Sequence, residues 1–497
     1  MLTVIAVSFL ALGAAWVIFA ALLHLTQDKR EPAAVGISIP FLEPVIGYAR
    51  HKIKYFQNLQ DKHQLPIYTL RMPFARVYVV SRPSLINALQ RQSNAVSFGP
   101  VGRDFGFLFS GLSVQSQKII RSAYDDGGNK LAKNMHDFLR DGPFLCHASQ
   151  STVKGLSSTV PKWGYHGLPQ PLLGTVRHAL TIAFTDTIYG PRNPYRDPEV
   201  EAAWLDFLPG ISHIVSSPLA SFTARRHFNA RGKVVAAFMR YFESGGHLQA
   251  PQMLQNMYAT NKSHGLSIRE CAKMEIATSL AVLSSGSLTA FWFTLHILSS
   301  QSILKDVRAE IFANLARAPS SSCLIIDASR IKATCPTLKS VLEETLRYHS
   351  TVVSPKFVSR DVLLADTYLL KANSLVLIPG PNLHYDTANW GADANTFNHY
   401  RFLGVKKNIS TACYRPFGSG ESVCPGKQLS TNVILSLVVM LVVLFDIVPT
   451  DGEWVFPTTK GADAWNAMPK PDHDVSVEIT PRRETHGVDV KFIWDAY

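Results

Sequence analysis

Charge is scarce in this chain: 17% of its 497 residues are Asp, Glu, Lys or Arg, against 46% hydrophobic. That balance excludes a disordered polyelectrolyte and supplies apolar surface for a large core. Cysteine is scarce too. The six, Cys146, Cys271, Cys323, Cys335, Cys413 and Cys424, form no Cys-x-x-Cys pair and no regular spacing. This speaks against a disulfide framework or a structural zinc site and for a reducing compartment. Internal repeats and low-complexity linkers are absent, so the chain reads as one large domain, mainly helical with a few small sheets. No Lys/Arg block with interleaved aromatics occurs, so the net charge of +12 does not read as a nucleic-acid footprint. It suits an anionic membrane or an acidic protein partner.

Long apolar runs are present. "LTVIAVSFLALGAAWVIFAALLHL", Leu2 to Leu25, carries no charge before His24 and is long enough to span a bilayer as a helix. Lys29 and Arg30 follow, which predicts that the rest of the chain lies on the cytoplasmic side. A cleaved signal peptide is the competing reading. It lacks support from a basic residue ahead of the run, and the run exceeds a usual signal core. The expectation is an anchor over 1–25, a Pro/Gly-punctuated hinge over 26–40 and one large domain over 41–497. A second run, "NVILSLVVMLVVLFDIV", is shorter, follows Ser430 and Thr431 and ends at a charge; it reads as a core helix.

Further along, "KIKYFQNLQDKH" has amphipathic helical spacing, and "PIYTLRM" and "ARVYVVS" read as strands around a turn at Pro73. "RPSLINALQRQ" places proline at a helix start. Arg269 to Ser299 reads as one long apolar helix interrupted by "SSGSLT". Gly and Ser are poor helix formers, so the insert marks either tolerated small residues in a core helix or a bulge beside a ligand. In "TLKSVLEETLRYH", Glu344 and Arg347 share a helix face. They read as a surface ion pair of little value, or, given Leu342 and Leu346, as a partly buried one.

The stretch "PFGSGESVCPGKQLS" places Cys424 between Gly418, Gly420 and Gly426 and a following helix, with Pro425 suited to that helix's first turn. Free N–H groups and the helix dipole there favour a thiolate. The glycines permit sharp turns and close approach to a flat ligand. Cys424 could be a buried hydrophobe, a nucleophile with His384 or His399, or an axial ligand of haem iron.

Together these stretches resemble the haem-thiolate monooxygenases, the cytochrome P-450 family. In the family's Cys loop, Phe417, Gly420, Cys424 and Gly426 fit, and Ser422 stands where a basic residue is usual. "EETLR" gives the family's Glu-x-x-Arg at Glu344 and Arg347, and Arg401 matches the third member of that buried network, preceded by His399-Tyr400 instead of Pro-Glu. Arg269 to Ser299 is similar to the long helix crossing the haem. "FGSG", three variable residues and "CPG", with "WNAMPKPDHDVSVEI", resemble the branch of sterol and oxysterol 7α-hydroxylases and prostacyclin synthase, in the style of specialised fungal metabolism.

The resemblance implies the P-450 fold with one N-terminal transmembrane helix at the endoplasmic reticulum. It implies haem b held axially by Cys424, with Lys356 toward a propionate and Lys118 or Arg121 serving there or lying as solvated surface charge. Glu344, Arg347 and Arg401 would hold the scaffold beneath the haem. The substrate pocket would draw on Phe105–Phe109, Val352, Val353, Ser354 and Asn466–Met468. In the long helix the family's acid–alcohol pair aligns with Ser284-Ser285 or with Leu288-Thr289, one helical turn apart, and neither register supplies a carboxylate. The implied reaction is oxidation of a lipophilic small molecule (terpenoid, steroid-like, polyketide or alkaloid) with O2 and an NADPH-dependent reductase. Lys406, Lys407 and Lys427 would meet that reductase's acidic face. Rearrangement or dehydration of a peroxide without reductase, and a non-catalytic haem protein, are the alternatives.

Overall fold

Apolar side chains recur at helical spacing along most of the chain, and helices result. The computed structural model describes residues 2–125, 139, 142–165, 168–217, 219–320, 323–404, 409–462, 465–485 and 488–494. The helices used below are α1 (Leu2–Thr26), α2 (Pro83–Arg91), α3 (Gly99–Ser110), α4 (Ile268–Leu283), α5 (Gly286–Leu298), α6 (Pro336–His349) and α7 (Lys427–Leu444). The main sheet has five strands: β1 (Ile67–Met72), β2 (Ala75–Val80), β3 (Val96–Ser97), β4 (Val353–Val358) and β5 (Ser374–Pro379), in the order β1-β2-β5-β4-β3.

The expected hairpin is there. β1 and β2 pair antiparallel from Ile67–Val80 to Met72–Ala75, and the turn forces Phe74 to a φ of 60°. β5 pairs parallel with β2 and antiparallel with β4, bringing Lys356 opposite Val376 and Ser354 opposite Ile378. Period-two alternation then sorts the side chains. Val358, Val376 and Ile378 pack with Ile86 and Leu89 of α2, whereas Val353, Leu375 and Leu377 lie toward Tyr55, Phe56 and Val77.

The segment after α1 is docked onto this sheet. Ala34 bridges to Thr69, and buried Glu31 pairs with Arg76 at 3.0 Å and accepts from the Tyr78 hydroxyl at 2.8 Å. α7 is buried along nearly its whole length, as its core-helix reading requires. The 269–299 run is two helices, α4 and α5, interrupted at Ser284-Ser285. The small polar insert ends one helix and starts the next.

Glu344 and Arg347 are fully buried, which rules out a surface pair. Arg347 Nε and Nη2 donate to the two Glu344 oxygens at 2.8 Å each. The rest of the guanidinium donates to the carbonyls of His384, Ala394 and Thr396. Arg401 Nε donates to Glu344 at 3.2 Å and its far side grips Asp393 at 2.9 Å. The Asn398 N–H takes up Glu344 Oε1 as well, at 2.8 Å. Burying such charges is tolerable only because nearly every lone pair and N–H is used. Replacing one partner strands the other. Arg347→Met is therefore expected to cost about 3–5 kcal/mol of stability, read as a lowered denaturation midpoint at unchanged m-value.

Candidate active site

Backbone geometry brings Cys424 to its place. The Cys424 N–H donates to Phe417 O at 2.9 Å, closing the loop on itself. Gly418 has a φ of 73°, and a Cβ there would lie 2.6 Å from Ser422 O. Gly420 is also left-handed, with a φ of 61°. Side chains are disfavoured at both positions, so the glycines are conformational requirements. Gly426 differs from expectation: its φ is −79°, an ordinary value, so no sharp turn needs it. A Cβ at Gly426 would stand 3.8 Å from the Cys424 sulfur, in ordinary contact. Helix α7 begins only at Lys427, after Pro425 and Gly426.

The sulfur of Cys424 opens on a cavity of about 710 Å³. Burial pushes its thiol pKa up, against the pull of the Gly426 and Lys427 N–H groups and the Lys427 charge. The helix-end argument for a thiolate thus has the right sign but loses to desolvation in the free chain. A cation at the sulfur reverses that balance, as a coordinating thiol is deprotonated.

Around the cavity, Phe417, Gly418, Ser422 and Ile434 accompany Cys424. Ser285, Gly286 and Thr289 come from the break between α4 and α5, with Ala281 and Val282 before them. Val352, Val353, Ser354 and Leu377 come from the sheet, and Trp465, Ala467 and Met468 from the turn near the C-terminus. Phe98, Val101, Gly102 and Phe105 close another side, and Pro44, Val45 and Tyr48 line its far end. The volume falls in the range of small-molecule sites, about 300–1,000 Å³, and the walls are mostly apolar.

Two of the polar groups on the wall, Ser285 and Thr289, sit at or just after the helix break. Thr289 Oγ1 donates to Ser285 O at 2.9 Å, the back-bond that loosens a helix at this point. Ser285 Oγ donates to Asn466 Oδ1 at 2.9 Å. Ser284 is not a lining residue; its hydroxyl lies 3.4 Å from that of Ser285. Leu288 is buried.

Other expected residues sort clearly. Val353, Ser354 and Met468 line the cavity, as does Phe105; Phe107 and Phe109 pack behind it in the core. Lys356 is buried on β4 without lining the cavity. Glu344, Arg347 and Arg401 lie outside the lining and act through the 384–401 segment that they hold. Arg121 is exposed and pairs with Asp104 at 3.2 Å, and Lys118 is exposed, so both fit the reading as solvated surface charge. Lys427 is exposed, with its ammonium 5.7 Å from the Phe417 ring centre. Lys406 and Lys407 lie outside the described residues. Sequence reasoning missed Asp393, Asn466 as a hydrogen-bond partner, and Arg415, whose Nε and Nη2 are buried without a partner among the described residues.

A haem needs a soft axial donor, apolar walls for its faces and cations for its carboxylates. Cys424 and this cavity meet the first two needs, and Arg415, buried just before the lining residues Pro416–Gly418, carries an unspent guanidinium. Similarity to known proteins agrees. The Cytochrome P450 family pattern matches residues 249–471. The chain is 29% identical to cytochrome P450 monooxygenase nodJ of Hypoxylon pulicicidum, across 92% of this chain and 91% of that protein. It is 23% identical to cytochrome P450 monooxygenase poxD of Penicillium oxalicum, across 90% and 93%. To sterol 14-alpha demethylase cyp51A of Aspergillus fumigatus it is 23% identical, across 89% and 91%. With a sulfur-bearing loop on an apolar cavity and a doubly clamped buried glutamate beside these matches, the chain belongs to the cytochrome P450 family and is a monooxygenase with haem b as its cofactor.

Proposed function

We propose that this monooxygenase oxidises a lipophilic intermediate of fungal specialised metabolism, of terpenoid, steroid-like, polyketide or alkaloid type, with Cys424 as the axial thiolate. One observation carries the reading: a single mostly apolar cavity joins the Cys424 sulfur to the hydroxyls of Ser285 and Thr289. The bound haem supplies oxygen activation, with electrons from NADPH passed on by a reductase. The chain supplies binding, orientation and protons.

Phe98, Phe105, Val353 and Met468 give an apolar substrate its contact surface and keep water from the reacting carbon. Ser285 and Thr289 hold protons at hydroxyl oxygens on the same cavity wall. Asn466 fixes the Ser285 rotor and the Ser285 carbonyl fixes that of Thr289. With Leu288 at the usual acid position, protons travel through hydroxyls and water. The Val352–Ser354 and Trp465–Met468 segments set the shape that selects substrate.

In this reading α1 anchors the chain in the endoplasmic reticulum membrane, with Lys29 and Arg30 on the cytoplasmic side and 26–40 as the connection to a catalytic domain over 41–497. Exposed Lys427, beside the Cys loop, meets the acidic face of the reductase.

The test is turnover by the full-length chain with a fungal reductase, NADPH and a panel of lipophilic candidates. Product that requires NADPH and incorporates one atom of O2 is expected. Conversion of a hydroperoxide without NADPH, with no NADPH-dependent product, would sink the proposal. Cys424→Ala is expected to lose the red-shifted CO band of the reduced protein; retention of that band shows that another residue is the ligand. Thr289→Val removes the hydroxyl while keeping the shape. Product per NADPH is expected to fall about tenfold to a hundredfold while NADPH oxidation continues and hydrogen peroxide accumulates. Unchanged coupling assigns the relay elsewhere.

A further inference from the structure

Arg415 is a cation in a place that disfavours charge. It is 1% exposed. Its backbone N–H donates to His384 Nε2 at 3.1 Å, and its Nη1 donates to Ser419 Oγ. Ser419 Oγ also receives Gln90 Nε2 of α2, at 2.6 Å. Among the described residues, Nε and Nη2 meet no acceptor. Among the described residues no carboxylate pairs with it, in contrast to Arg347 and Arg401. Burial pulls its pKa down to about 10 with no acid to raise it, so it remains a cation at neutral pH. A buried guanidinium with two idle donors is costly, and such a group calls for an anion that the chain does not provide.

Its location narrows the anion. Pro416, Phe417 and Gly418, next in sequence, line the cavity, while Arg415 itself is buried outside that lining. Ser419, held by Arg415, is the acceptor for the Ser422 hydroxyl through its carbonyl, at 3.1 Å. Ser422 stands where the family pattern has its basic residue, and its hydroxyl is already used within the loop. The cation missing at Ser422 and the unspent cation at Arg415 therefore meet on one turn of chain, 415–422.

We infer that Arg415 binds a propionate carboxylate of the haem, taking over the pairing that the family pattern gives to the position of Ser422. Planar carboxylate recognition suits the idle Nε and Nη2, which form one edge of the guanidinium fork. Ser419 and Gln90 hold the other edge, so that Arg415 is preset before the cofactor arrives. This inference rests on the haem being held at Cys424.

The experiment measures haem release from the holoprotein to excess apomyoglobin, for free-acid haem and for haem dimethyl ester, whose propionates carry no charge. Arg415→Met is expected to release free-acid haem at least about tenfold faster than the native chain. It is expected to release the ester at the native rate. Propionate bending bands in resonance Raman spectra are expected to shift in the same variant. Equal release of free-acid haem by both chains overturns the inference, and so does equal acceleration for the two haems, which marks a packing role. If Arg415→Met does not accumulate as holoprotein, Arg415→Lys carries the comparison, since it keeps the charge and loses the fork. No preference between the two haems relative to the native chain then overturns the inference. The reduced CO band separates the two claims: its absence in the native chain defeats the Cys424 reading, whereas its presence with unaltered release in Arg415→Met defeats only the propionate assignment.

Discussion

The carboxylate of Glu344 is the constraint on which the site depends. It receives two guanidiniums and a backbone N–H in a place with no access to water. Each guanidinium then reaches past it: Arg347 to three carbonyls between His384 and Thr396, Arg401 to Asp393 and the Trp390 carbonyl. One helix face thereby fixes a segment whose own backbone bonds are all short-range turns. The neighbouring Glu343 accepts the Tyr414 hydroxyl at 2.5 Å, one residue before Arg415. Helix α6 therefore holds the approach to the Cys loop at two points. The sulfur's position is inherited from ion pairs that touch neither cavity nor substrate. A buried charge cluster gives little net stability but penalises any misplacement heavily, and here that penalty serves positioning.

On the opposite wall the logic is reversed. The helix run from α4 to α5 gives up continuity at Ser284-Ser285, and the freed polar groups are few and short. Thr289 spends its hydroxyl hydrogen on the Ser285 carbonyl and Ser285 spends its own on Asn466. Both residues line the cavity, and each oxygen can still accept a hydrogen bond. Hydroxyls are donors and acceptors at once, so a pair of them can pass a proton where Leu288 offers none. The apolar remainder of the wall keeps those groups from being swamped by water.

What was legible in the sequence had local causes. The β1–β2 hairpin, the proline-started α2, the Glu344–Arg347 face and core helix α7 follow from alternation, helical period and capping chemistry within a dozen residues. The glycines at 418 and 420 announced a tight loop in which both residues take left-handed backbone. What was not legible joins distant segments. Asn466 meets Ser285 across 181 positions, and Gln90 meets Ser419 across 329. No periodicity encodes such contacts. Asp393 was missed because an exposed-looking acid gives no sign that Arg401 will grip it. The thiol of Cys424 was misjudged in its free state, since helix-end stabilisation can be read from sequence and desolvation cannot.

Three buried arginines sit around this site, and they are not equivalent. Arg347 and Arg401 are neutralised by acids of the chain, so their cost is settled when the chain folds. Arg415 is not, and its cost stands until an anion comes from outside. A group that binds the folded state and not the unfolded one stabilises the former in proportion to its own affinity. If haem supplies that anion, its binding adds to the stability of the folded chain. The two groups also share a logic: burial raises the Cys424 thiol and weakens the Arg415 cation, so each is held in a state that suits it poorly alone. On the haem reading, a single ligand that brings a metal to one and a carboxylate to the other would relieve both at once.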